Sequence, residues 1–180
     1  MEEYKILAMN FGSTSTKVAA YEGDTQLLQK VFHHSPEDLQ GVSSMEDNAA
    51  LRKPLILNYL KEQGVDLKEF DAIVGRGGLV RPLLGGTYAV NEKMLEESRS
   101  MKYGNHASDL GMRIAYDLAK DKHSAYIVDS PCTDEFEPLA RYSGLPEMPR
   151  QSRFHVLNHK ACGRAFCKEH GLDYNQTNLV

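Results

Sequence analysis

Asn10-Phe11-Gly12-Ser13-Thr14-Ser15-Thr16-Lys17 is the stretch on which the fold turns. The run before it, Tyr4-Lys5-Ile6-Leu7-Ala8-Met9, reads as a strand. The run after it, Val18-Ala19-Ala20-Tyr21, reads as a second strand, closed by the turn residues Gly23-Asp24. Between them lie one glycine, four consecutive hydroxyl residues and a lysine. Glycine lets backbone approach a ligand closely. Hydroxyls and backbone N–H groups donate to phosphoryl oxygens, and lysine brings a mobile positive charge. Asn10, Gly12, Ser13, Thr14, Ser15 and Lys17 are therefore candidate phosphate contacts. A Walker A loop would need a second glycine before the lysine and a helix after it. Both are lacking, so the loop joins two antiparallel strands. Taken alone it also fits an ordinary polar turn.

Working outward, residues 4–11 carry apolar side chains on both faces, which predicts a central strand covered on both sides. Residues 17–22 and 26–33 extend it into a three-stranded antiparallel meander. Residues 35–48 are polar and read as a loop. A helix is predicted over 49–63, with Leu55, Ile56, Tyr59 and Leu60 on one face and Gly64 as its C-terminal cap. Pro54 marks either a kink or the true start of that helix. Asp71-Ala72-Ile73-Val74-Gly75 is a short buried strand, followed by the loop Arg76–Gly86. A short strand (87–90) and helices at 92–101 and 106–120 come next. In the last of these, Ala107, Gly111, Ala115 and Ala119 form a row of small residues that would let it lie close on a sheet. Residues 124–129 form the next strand, 130–153 a proline-rich loop, and 158–170 a final helix. Thr177-Asn178-Leu179-Val180 reads as another strand beginning. The main order is β-β-β-α-β-α-β-α: an α/β fold of ribonuclease H-like plan with a mixed sheet.

Bulk properties narrow the function class. The 180 residues suffice for one domain with a real core, or one lobe of something larger. A net charge of −4 argues against a nucleic-acid surface. No apolar run approaches the roughly 20 residues of a membrane helix. The acidic start Met1-Glu2-Glu3 lacks the order of a signal peptide. Cys132, Cys162 and Cys167 make an odd count without paired spacing, which predicts reduced thiols and a cytoplasmic setting, not a disulfide frame or a zinc site.

Three polar groups end strands, where open α/β sheets gather their ligands: Asn10 with its loop, Arg76, and Asp129. Asp129 reads either as a cap before Ser130-Pro131 or as a carboxylate near magnesium, reached through water. The loop Arg76-Gly77-Gly78-Leu79-Val80-Arg81-Pro82-Leu83-Leu84-Gly85-Gly86 is unusually apolar for a surface connection. It either folds down as packing or forms a pocket in which Arg76 pairs with a carboxylate and a Leu/Val wall takes an alkyl tail. His155 and His159 are four apart, but Val156 stands where a zinc motif would need Glu. Donation from His155 to a phosphoryl oxygen fits better.

The N-F-G-S-T-S-T-K loop, the G-R-G-G-L-V-R-P-L-L-G-G-T-Y stretch, I-V-D-S-P and R-F-H-V-L-N-H-K together resemble the butyrate kinases, of the acetate and butyrate kinase group within the actin-like ATPase superfamily. The resemblance runs from end to end. It implies the N-terminal ribonuclease H-like domain (1–180) of a two-domain acyl kinase, with 158–180 leading toward a second domain and the ATP cleft between the two. It places Asn10, Ser13, Ser15 and Lys17 in the first phosphate loop, with Asn10 and Asp129 near magnesium. It makes Arg76 the residue that binds the acyl substrate and His155 the one that stabilises the transferred group, with His159 as its structural neighbour. Phe11 stands where the family pattern leads one to expect Pro.

The implied reaction is reversible transfer of a phosphoryl group from ATP to butyrate, giving butyryl phosphate and ADP, in a homo-oligomer that binds neither nucleic acid nor membrane. The isolated chain is expected to be inactive, because the second glycine-rich loop and the adenosine pocket of the family lie outside it. The alternative is a nucleotide- or phosphate-binding regulatory module, or a polyphosphate hydrolase-like one, of the same superfamily. The apolar wall at Leu79–Leu84 is the feature expected to separate the two.

Overall fold

The computed structural model describes residues 3–119 and 124–179. Lys120, the last residue of one expected helix, and Val180 lie outside them. The chain opens with β1 (Lys5–Phe11), β2 (Ser15–Glu22) and β3 (Thr25–His33), the expected meander, with β2 antiparallel to both neighbours. Helix α1 (Met45–Glu62) leads to β4 (Ala72–Arg76), then β5 (Thr87–Ala89), α2 (Glu92–Arg99), α3 (Asp109–Leu118), β6 (Ser124–Val128) and α4 (Val156–Glu169). The sheet order is β3-β2-β1-β4-β6-β5. β1, β4 and β6 are mutually parallel, and the short β5 closes the far edge antiparallel to β6. β5 and α2 are the short strand and the helix expected at 87–90 and 92–101, which the main order β-β-β-α-β-α-β-α left uncounted between β4 and α3.

Helix α1 begins four residues before its predicted start and contains Pro54, which is therefore not its first residue. Its start is fixed by a capping box. The Ser44 side chain accepts from the Asp47 N–H, and the Asp47 carboxylate accepts from the Ser44 N–H. Residues 177–179 form no strand, contrary to the sequence reading; a 3₁₀ turn at Tyr174–Gln176 precedes them.

One face of the sheet is closed and the other is not. Leu7, Met9 and Phe11 of β1, Val18 and Ala20 of β2 and Ile73 of β4 are buried with Ile56 and Leu60 of α1 and Leu110, Ile114 and Ala115 of α3. The small-residue row of α3 does what its spacing predicts. A Cβ on Gly75 of β4 would fall 2.2 Å from the Gly111 carbonyl oxygen, so strand and helix meet backbone to backbone. On the opposite face Ile6, Ala8 and Asn10 are only half-buried. Among the described residues that face carries only the first turns of α4, so β1 is not covered on both sides as expected. A cavity of about 430 Å³ remains, floored by Ala8, Ala19, Val74 and Val128 and walled by Leu157 and Ala161.

Candidate functional site: an anion cradle at the carboxyl edge of the sheet

Strand register sets the site. Asn10 pairs with Lys17 on one side and Arg76 on the other, and Arg76 pairs with Val128. Residues in register share a face. Lys17, Asn10 and Arg76 therefore stand in one row on the open face, at the carboxyl end of the parallel strands.

Asp129, the first residue after β6, is the hub beneath this row. It is buried, with a left-handed backbone (φ 55°) that Asp tolerates better than most residues. Its Oδ2 accepts from Arg76 Nε at 2.9 Å and lies 3.2 Å from His155 Nδ1. Its Oδ1 accepts from the N–H groups of Leu157 and Asn158 at 2.9 and 3.2 Å, so the carboxylate caps the first turn of α4. Its backbone carbonyl accepts from His155 Nδ1 at 2.7 Å. Asp129 is thus a cap, but of α4 and not of the turn at Ser130-Pro131 that the sequence suggested. Because a carbonyl can only accept, Nδ1 of His155 carries a proton, and Nε2 is the nitrogen left for a ligand.

A cavity of about 230 Å³ opens above the hub, lined by Asn10, Phe11, Gly12, Ser15, Lys17, Arg76, His155, His106 and Ser108. It is smaller than the 300 Å³ or so at which drug-sized pockets begin and suits a small anion. Of the residues singled out from sequence, Asn10, Gly12, Ser15, Lys17, Arg76 and His155 line it. Ser13 and Thr14 are exposed at the loop tip. His159 is turned away, its ring 5.9 Å from that of Phe154. No hydrogen bond of the Arg76 terminal nitrogens occurs among the described residues, which leaves that end of the fork for a ligand.

The hydroxyl loop is held from behind. Arg52 of α1, 1 % exposed, donates to the carbonyls of Gly12 (2.7 Å), Ser15 (3.0 Å) and Ser13 (2.9 Å) and reaches Thr16 Oγ1 at 3.4 Å. The Thr14 carbonyl accepts from the His34 N–H. All four carbonyls of residues 12–15 are thus tied inward. The N–H groups of Ser13 and Thr14 have no partner among the described residues. Thr16 Oγ1 also lies 2.9 Å from His34 Nε2.

The loop after β4, Arg76–Gly86, has another fate. Val80 is fully buried with Leu95, Met112 and Ile127, and Leu83 packs against them. The Leu79 N–H donates to Asp109, whose carboxyl group burial pushes up from its ordinary range. Arg81 pairs with the buried Glu97, which holds that carboxyl group down. Leu84 is 70 % exposed. The apolar wall expected at Leu79–Leu84 therefore lines neither cavity beside Arg76. Val80 and Leu83 are packing, because they find a core between α2, α3 and β6.

The residues do not make a magnesium cage. Each oxygen of Asp129 already faces two donors. Among the described residues, no cluster of three His, Cys, Asp or Glu side chains is placed to hold a metal. Cys132, Cys162 and Cys167 are free thiols, and no helix among the described residues is long and apolar enough to cross a membrane. Sequence reasoning passed over Arg52, His106 and Ser108. Arg52 had a signal: it lies four and eight residues before Ile56 and Leu60, on the buried stripe of α1.

The six-stranded mixed sheet with its helices is the fold of about half of each of two solved acyl kinases similar to it in shape. Acetate kinase from Porphyromonas gingivalis matches it with a TM-score of 0.63 at 17 % identity, over 97 % of this chain and 51 % of that one. A propionate kinase from Francisella tularensis matches with a TM-score of 0.62 at 15 % identity, over 94 % and 50 %. No family model matches the chain. In sequence it is a homologue of the butyrate kinases over nearly its whole length, 44 % identical across 179 residues to butyrate kinase 2 of Clostridium acetobutylicum. It spans about half the length of that relative.

Proposed function

We propose that this chain is the phosphoryl-holding, carboxylate-holding half of an acyl kinase that transfers the terminal phosphoryl group of ATP to butyrate or a similar short-chain acid, reversibly. The observation that carries the reading is the register row Lys17–Asn10–Arg76 opening into a small cavity with His155 beside it. The homology to butyrate kinases supports the choice of acceptor.

A carboxylic acid with a pKa of about 4 to 5 is ionised at neutral pH and needs no general base. Catalysis then reduces to alignment and charge stabilisation. The free end of Arg76 holds the carboxylate, while its Nε bond to Asp129 fixes the plane of the fork. Lys17 and the N–H groups of Ser13 and Thr14 face the phosphoryl oxygens. His155, oriented through Nδ1, donates from Nε2 in its imidazolium form as charge builds on those oxygens. His106, bonded to Ser108 Oγ at 2.9 Å, offers a second donor across the cavity. A divalent ion would arrive with the nucleotide phosphates, since no group of three His, Cys, Asp or Glu among the described residues could hold one, and Asn10 and Asp129 would meet it through its waters.

Titration with butyryl phosphate tests this. Saturable binding, competed by inorganic phosphate and lost in Arg76→Ala, is the expected result. Binding of polyphosphate that tightens with polymer length and ignores butyryl phosphate would move the chain to the polyphosphate-binding class. With ATP, magnesium and butyrate, the 180 residues alone should yield no acyl phosphate trapped as hydroxamate. Robust turnover would overturn the expectation that the reaction needs residues outside this stretch.

A further inference from the structure

Arg52 is the most deeply buried cation among the described residues, and no carboxylate lies within ion-pair distance of it there. Its four acceptors are three loop carbonyls and one hydroxyl, and its Nε is buried without a partner. Burial lowers its pKa, yet a guanidinium stays charged under such pressure. A fold that needed only apolar contact here could continue the Ile56–Leu60 stripe with another aliphatic side chain. That would avoid desolvating a charge. The charge is instead spent on the backbone of residues 12–15.

We propose that Arg52 is a positioning residue for phosphoryl binding. This rests on the anion-cradle reading above and deepens it. By drawing the carbonyls of Gly12, Ser13 and Ser15 to one side, Arg52 leaves the N–H groups of Ser13 and Thr14 on the ligand's side of the turn. That is the arrangement by which successive backbone N–H groups bind anions. Its positive charge, with no ion-pair partner among the described residues, also favours an anion on the far side of the loop. The electrostatic partner that Arg52 lacks among the described residues is supplied by the ligand's phosphoryl group. The chain Arg52–Thr16–His34 completes the device. Thr16 Oγ1 accepts from Arg52 and can donate to His34 Nε2, and burial first, then the Arg52 charge, lowers the His34 pKa and so disfavours the charged ring.

The test measures inorganic phosphate affinity by calorimetry and thermal stability together, for the wild-type chain, Arg52→Lys and Arg52→Met. Lysine keeps the charge but cannot reproduce a fork that spans three carbonyls. Arg52→Lys should remain folded and bind phosphate about tenfold more weakly, the scale of one set of charge-assisted hydrogen bonds. Arg52→Met should bind more weakly still, with a shallower dependence on salt because one attracting charge is gone. A residue that only supported the fold would shift the melting temperature and leave the phosphate affinity of the folded protein unchanged. That outcome in Arg52→Lys overturns the proposal even if Arg52→Met does not fold, and leaves the cradle reading standing. Wild-type protein that binds no phosphate at all would overturn both.

Discussion

Two loops leave the same edge of the sheet, one after β1 and one after β4. Both combine glycine with cations, and they end up doing opposite things. Gly12, Ser13 and Ser15 turn their carbonyls onto a buried arginine, and the N–H donors at the tip have no partner among the described residues. Residues 77–84 send Val80 into a core cluster and bind Leu79 back onto α3. The difference lies in what satisfies each backbone. A loop whose acceptors are met from inside the protein has donors left for a ligand. A loop whose apolar side chains are met from inside has become part of the core, and only its first residue, Arg76, faces the cavity.

The largest effect should come from the hub that joins the Arg76 end of the second loop to α4. Asp129→Ala removes the partner of Arg76 and His155 and the cap of two N–H groups. It should cost about 3–5 kcal/mol, as for breaking a buried pair, read from urea unfolding. A loss below about 1 kcal/mol would show the hub to be no more than a surface pair.

Two substitutions within the loop after β4 should separate next. Val80→Ala should destabilise the protein by about 2–3 kcal/mol through lost burial and the cavity left behind, with phosphate affinity unchanged. Leu84→Ser, four residues on and exposed, should stay within about 0.5 kcal/mol of wild type. A fall in phosphate affinity in Val80→Ala at a temperature where it is fully folded would break the division between the loops.

The smallest effect concerns pH. His34 takes up a proton in the unfolded chain near its ordinary value of 6.5, and in the folded protein only lower, because burial and then the Arg52 charge oppose it. Between those two values the unfolded state binds more protons. Stability is therefore complete above the ordinary value and falls as pH drops below it. His34→Gln should flatten part of that fall in a series of melts from pH 7.5 to about 5.5, a window around the ordinary histidine value. An unchanged slope would remove His34 from the network.

The strands, their meander and the convergence of Asn10, Lys17, Arg76 and Asp129 were legible because they follow from local pattern. Alternating burial fixes a strand, and parallel strands bring their carboxyl ends to one edge. The start of α1 was equally local, written in Ser44 and Asp47, but it was masked by the polar run around it. The fate of Leu79–Leu84 was not legible, since a run of leucines in a loop fits packing and pocket alike until its neighbours are known. Arg52 was readable only as a charge on an apolar stripe. Its partners lie 36 to 40 residues away in sequence, and no spacing rule connects a helix to carbonyls in a distant turn. His106 and Ser108 enter the site because Gly77 sits against Ser108, where a Cβ would lie 2.6 Å from that side chain's own Cβ.

The most direct test of the phosphoryl cradle is an amide proton–nitrogen spectrum of the chain titrated with butyryl phosphate. Shifts concentrated at Gly12, Ser13, Thr14 and Ser15, with the side-chain signals of Arg76 and His155 moving at the same ligand concentration and Val80–Leu84 still, are the predicted result. Perturbation of Val80–Leu84 with the 12–15 amides unmoved would contradict it and return the ligand to the second loop.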